Sequence, residues 1–139
     1  MCTSNKFDYK KFTELDGLAL ARYMDQLLAF DEVDVPADAM RRLKEEFASY
    51  DELHLVYAVY FGGKFGRKYF ADTLPQYLGD ARGSVWAAAY NSLNYLPDEC
   101  ITADLVESVR DVQLANPGKP WIADALATLE QRLATRNKD

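Results

Sequence analysis

Apolar side chains recur at helical spacing along almost the whole chain. Phe12, Leu15, Ala19, Tyr23, Leu27 and Phe30 step by three or four residues, which predicts one helix over 8–30 with a single buried face. Gly17 lies off that stripe and weakens it slightly. After a break at 31–35, Pro36 suits a first helical turn with Asp34 nearby as cap. Met40, Leu43 and Phe47 then form the next stripe, opposite Arg41, Arg42, Lys44 and Glu45. Asp51 is placed to cap a third helix. The run from Leu53 to Phe61 is almost continuously apolar, and its β-branched and aromatic residues also suit a buried strand. A lone strand leaves its backbone groups unpaired, and no second run of this kind exists. A central helix, buried nearly all round and ended by Gly62-Gly63, is therefore expected.

Phe65, Tyr69, Thr73, Leu74 and Tyr77 mark a fourth helical stretch, which Pro75 kinks or splits. Ser84 caps a fifth, with Trp86, Ala89, Leu93 and Leu96 inward and Pro97 as its stop. Thr102 caps a sixth that carries Leu105, Val109 and Val112. Following the turn at Asn116-Pro117-Gly118, Pro120 opens a seventh with Ile122, Ala125, Leu126, Leu129 and Leu133 buried, and 135–139 should fray. Short connections imply antiparallel neighbours. The expected fold class is all-α, with about seven helices in one domain over 1–139.

The second half repeats itself. A shift of 35 residues sets Leu74 on Val109, Tyr77 on Val112 and Gly83 on Gly118, and a shift of 36 sets Ala89 on Ala125, Tyr90 on Leu126 and Leu93 on Leu129. Two helix-turn-helix units over 66–96 and 102–134 follow, with a more divergent one at 36–62 and helix 8–30 as an N-terminal cap. The stretch Leu74-Pro75-Gln76-Tyr77-Leu78-Gly79-Asp80, followed by Val85, Ala88, Ala89, Leu93 and Leu96, resembles a HEAT repeat. That resemblance implies a short right-handed stack of antiparallel helix pairs, a HEAT-like α-solenoid. The family usually places an Arg after that Val to bond the turn. Here Trp86 stands in its place, and Asn116 replaces Asp80 in the next unit. Without that polar ladder, a short self-contained stack is expected rather than a piece of a long array.

Composition narrows the function classes. With 139 residues, 49% apolar and 27% charged, the chain is neither low-complexity nor disordered. Its net charge of −6 argues against a general nucleic-acid binder. No run is apolar enough to span a bilayer, and the first residues lack the apolar run of a signal peptide, so a cytoplasmic protein is expected. Cys2 and Cys100 make neither a disulfide framework nor a zinc pattern. His54, the single histidine, lies in an apolar run and reads as a packing residue; no G-x-S-x-G elbow accompanies it. No catalytic residue, metal or cofactor is assigned.

The charge is uneven. Residues 25–52 hold nine acids and three bases, so this stretch alone carries −6. Like charges crowded together repel, and a cationic partner relieves the repulsion while gaining steered association. The candidate partner-binding acids are Asp31, Glu32, Asp34, Asp38, Glu45, Glu46, Asp51 and Glu52. On the outer side of the fifth and seventh helices, Asn91, Asn94, Tyr95 and Asp124 are placed to line a shared groove. The glycine-rich, basic stretch 62–70 matches no phosphate-loop motif. It reads as a buried stripe of Phe65 and Tyr69, flanked by Phe70, with Lys and Arg outside.

In size, acidity and helical repeat the chain is similar to small acidic bacterial immunity proteins, which neutralise toxin nucleases. That similarity implies a non-catalytic protein that occludes a basic protein partner, with no direct nucleic-acid or membrane contact. A HEAT-like scaffold holding a peptide in its groove and a phage-type acidic DNA mimic are the alternatives.

Overall fold

The computed structural model describes residues 5–137, and every regular element in it is helical. Helices α1 (Tyr9–Glu14) and α2 (Gly17–Leu28) lead into α3 (Ala37–Glu45) and the central α4 (Glu52–Phe61). A five-residue π turn, Gly62–Gly66, extends α4 and is followed by the short α5 (Lys68–Ala71) and a 3-10 helix, Leu74–Gly79. Helices α6 (Gly83–Tyr95), α7 (Ala103–Ala115) and α8 (Pro120–Asn137) complete the chain. One isolated parallel bridge joins Lys6 to Asp34, where Phe7 N–H donates to the Asp34 carbonyl at 2.8 Å. Among the described residues no helix is long and apolar enough to cross a membrane.

Stretch 8–30 is two helices, not one. Leu15 and Asp16 are extended and Gly17 adopts φ +50°, a left-handed conformation that glycine takes without steric cost. The break rephases the stripe by one residue: Leu20, Met24 and Leu27 are buried, while Ala19 is exposed. Asp8 caps α1 by accepting from Lys10 N–H at 3.0 Å and Lys11 N–H at 3.3 Å. Pro36 occupies the cap position of α3 and Asp34 bonds the N-terminal segment instead. Ala39, not Met40, is the fully buried partner of Leu43.

Helix α4 begins where expected. The Asp51 carboxylate accepts from His54 N–H at 2.9 Å, and the helix buries His54, Leu55, Ala58, Val59 and Phe61. Gly62-Gly63 does not end the helical path. Arg67 N–H donates to the Gly62 carbonyl at 3.1 Å, the long-range bond of a π turn. A side chain at Gly62 would strike the Phe70 ring at 2.5 Å, and one at Gly63 would meet Ser92 Cβ at 2.6 Å. Glycine here admits the neighbours; it does not break the chain. Phe70 is the buried aromatic of this region, whereas Tyr69, expected on the core stripe, is exposed.

Pro75 opens the 3-10 helix, which accounts for the expected split near Thr73. α6 starts one residue before Ser84, with Arg82 at the cap position. The Ser84 hydroxyl reaches across to Glu52 instead of capping. Trp86 is half-buried and lies on Trp121 of α8, ring centroids 4.0 Å apart and planes 10° from parallel. Thr102 caps α7 by accepting from Leu105 N–H at 3.1 Å. α8 is helical through Asn137, beyond the expected fraying point.

α6 packs on both α4 and α8, while the 3-10 helix packs on α6 and α7. One core runs from Phe7 to Leu129. The turns at 79–80 and 116–119 are joined: Lys119 Nζ donates to the Gly79 carbonyl and Trp121 Nε1 to the Leu78 carbonyl, both at 2.8 Å. Near the other end of α8, Arg132 donates to the carbonyls of Asn94 and Leu96, and Arg136 to those of Asp98 and Ile101. Cys100 lies buried in that turn as a free thiol; Cys2 falls outside the described residues.

Two outcomes check this packing. Asp51→Ala should cost about 1 kcal/mol at neutral pH in urea unfolding, as the loss of a helix cap does. The His54 N–H bond holds the Asp51 carboxyl below the usual carboxylate range. Its contribution is therefore present above about pH 4 and lost as pH falls through the lowered value, so the gap between wild type and variant should narrow in acid. Gly63→Ala should cost about 1–3 kcal/mol through overpacking, and adding Ser92→Gly should recover part of that loss in a double-mutant cycle.

Candidate functional site

The acidic stretch divides into engaged and free carboxylates. Asp38 and Glu45 both pair with Arg41, at (i, i+3) and (i, i+4) spacing. Glu46 accepts from the Ser49 hydroxyl at 3.1 Å, Asp51 is committed to the α4 cap and His54, and Glu52 accepts from the Ser84 hydroxyl. Asp25, outside the candidate set, accepts from Tyr57 at 3.2 Å. Only Asp31, Glu32 and Asp34 are both exposed and without a hydrogen bond or ion pair from their carboxylates to the described residues. All three sit in the loop between α2 and α3. Hydrogen bonds with the N-terminal segment brace that loop: the Asn5 side-chain Nδ2 donates to the Glu32 carbonyl at 2.7 Å, and Asp34 N–H donates to the Asn5 carbonyl at 3.0 Å.

The four candidates on α6 and α8 fall into two rows. Asn91 and Tyr95 lie one turn apart on the side of α6 that meets α4, where Asn91 Nδ2 donates to the Tyr60 hydroxyl at 3.2 Å. Tyr90 and Asn94 face α8. The Tyr90 hydroxyl donates to Asp124, and the Asn94 carbonyl accepts from Arg132 at 3.3 Å. These bonds stitch the α6–α8 seam rather than line a shared groove. Asn94 Oδ1 is buried there without a hydrogen-bond partner. Tyr95 stands apart with 82% of its surface exposed.

Asp31 and Tyr95 belong to one cleft. A cavity of about 570 Å³ opens between the end of α2, the π turn and the end of α6, lined by Leu28, Asp31, Tyr60, Gly63, Lys64, Arg67, Ser92, Tyr95 and Pro97. At its floor Gly63 lies against Ser92, whose hydroxyl donates to the Val59 carbonyl at 3.2 Å. Lys64 Nζ donates to the Leu28 carbonyl and so ties the π turn to the last turn of α2. Arg67 has φ +45°, the one positive φ at a non-glycine residue among those described, and its guanidinium makes no hydrogen bond or ion pair with them. Stretch 62–70, read from sequence as a buried stripe with cations outside, thus also supplies one wall of a cleft. Its sequence signal was the three glycines within five residues, bracketing Lys64 and Phe65 and followed by Arg67.

His54 lies elsewhere and is fully engaged. Its Nε2 donates to the carbonyls of Phe12 (3.1 Å) and Leu15 (2.9 Å), and Nδ1 lies 2.8 Å from Asp51 Oδ1. These bonds satisfy carbonyls left over at the end of α1. Burial pushes the Cys100 thiol up, away from the reactive thiolate form. Among the described residues no group of three or more His, Cys, Asp or Glu is placed to hold a metal ion. No protein-family model, curated protein or solved structure matches the chain.

Arg67 takes its φ of +45° where the π turn gives way to α5, its carbonyl accepting from Phe70 N–H and Ala71 N–H. Arg67→Gly should raise stability by about 1 kcal/mol in thermal unfolding, because glycine adopts this φ freely. A loss of stability would instead assign the side chain a packing role.

Proposed function

We propose that this chain is a non-catalytic binding protein that occludes a basic protein partner, in the manner of an immunity or inhibitor protein acting in the cytoplasm. The observation that carries this reading is the braced loop whose Asp31, Glu32 and Asp34 carboxylates have no partner among the described residues, with Asp31 lining the same cleft as the exposed Tyr95. An exposed aromatic ring near an acidic loop joins an interface anchor to a steering field. Bracing the loop lowers the ordering cost of association. Asp38, Glu45, Glu46, Asp51 and Glu52 add to the long-range potential but already have partners, so the contact itself centres on 31–34 and Tyr95. Binding rather than catalysis is favoured because His54 spends both ring nitrogens on structure.

The architecture that supports this reading is a short HEAT-like stack. In this reading α4, α6 and α8 make one layer and the 3-10 helix with α7 the other, which the packing of α6 on α4 and α8 and of the 3-10 helix on α7 supports. In place of the family's polar ladder, the Trp86–Trp121 stack and the Lys119–Gly79 bond hold consecutive units together.

Affinity capture from the source cells tests the reading. The wild-type chain should retain a strongly basic protein at low salt and lose it at high salt. A variant carrying Asp31→Lys, Glu32→Lys and Asp34→Lys should bind that protein at least about tenfold more weakly, through slower association. Tyr95→Ala should raise the dissociation rate. A partner of acidic or neutral charge, or capture indifferent to the triple reversal, overturns the proposal; loss on Tyr95→Ala alone points to the peptide-scaffold alternative.

A further inference from the structure

The same cleft has a second chemistry, of the opposite sign. Its volume, about 570 Å³, leaves room for a small molecule. Leu28, Pro97, Tyr60 and Tyr95 give it apolar and aromatic walls, and at its floor Gly63 lies against Ser92. On one side stand two cations. Lys64 is anchored to the Leu28 carbonyl, which fixes its charge in place, and the Arg67 guanidinium fork makes no hydrogen bond or ion pair with the described residues. Such a fork matches the paired oxygens of a carboxylate, sulfonate or phosphate. Against the two cations the lining holds one acid, Asp31.

We propose that this cleft binds a small aromatic anion, with its ring system against Tyr60, Tyr95, Leu28 and Pro97 and its anionic group on Arg67 beside Lys64. Aromatic faces supply the area, and the guanidinium supplies the orientation. Asp31 sets an upper limit on affinity by repelling the ligand, which makes the site separable from the basic-partner surface. There Asp31 is favourable and Arg67 is not used.

The test uses the intact chain and two fluorescent probes, anilinonaphthalene sulfonate and its uncharged counterpart phenylnaphthylamine. The sulfonate should saturate at one equivalent on a protein whose cooperative thermal unfolding shows that its core is not loosened. The uncharged probe should bind about tenfold more weakly, the factor expected for losing one hydrogen-bonded charge contact. Arg67→Gln should weaken the sulfonate by a similar factor and leave the uncharged probe unchanged. Tyr95→Ala should weaken both probes, and Asp31→Asn should tighten the sulfonate while weakening capture of a basic protein. The proposal is overturned if the sulfonate shows no saturable binding, if both probes bind wild type equally, or if Asp31→Asn weakens the sulfonate. The two-probe comparison on wild type decides the matter even if a variant does not fold.

Discussion

A helix without a polar side has to be wrapped, and the wrapping of α4 governs the rest of this molecule. His54, Leu55, Ala58, Val59 and Phe61 are all buried, so neighbours must close on it from several directions. On one flank the single polar side chain buried within α4 takes up the Phe12 and Leu15 carbonyls, which binds α1 and its C-terminal end to it. On another, α6 comes close because Gly63 faces Ser92 and because Ala88 and Ala89 are small and fully buried. Phe70 then fills the space beside Gly62 and Gly66.

Clamping α6 between α4 and α8 has consequences for the surface. Its last turn is tied down by Arg132 and Arg136, which satisfy the carbonyls of Asn94, Leu96, Asp98 and Ile101. Tyr95 therefore projects from a rigid end. The π turn brings Lys64 and Arg67 to the same place from α4, and the end of α2 brings Asp31. Charges of both signs meet at one cleft because three helix ends converge there. Arg67 holds a left-handed backbone at this junction, where the π turn gives way to α5.

Local chemistry was legible in the sequence. Asp51 and Thr102 cap the helices they were expected to cap, Pro75, Pro97 and Pro120 punctuate as their fixed φ and missing N–H demand, and the apolar run 53–61 is helical. The all-helical class follows from spacing alone. Where sequence reasoning erred, a neighbour distant in the chain decided. Ser84 gave up a cap for Glu52, Trp86 turned to Trp121 at the α6–α8 seam, and Tyr69 lies outside the core under the Lys44 ammonium.

The sequence by itself determined the helices, their caps and the concentration of acid in 25–52. Only the tertiary structure decided which acids are free. Arg41, Ser49, His54 and Ser84 engage most of them and leave Asp31, Glu32 and Asp34. It also decided that three glycines make a π turn and a cleft wall rather than a stop. The reason is the same in both cases: a cap or a stripe is set by residues a few positions apart. A charge's partner, and the room beside a glycine, depend on which distant segments the core draws together.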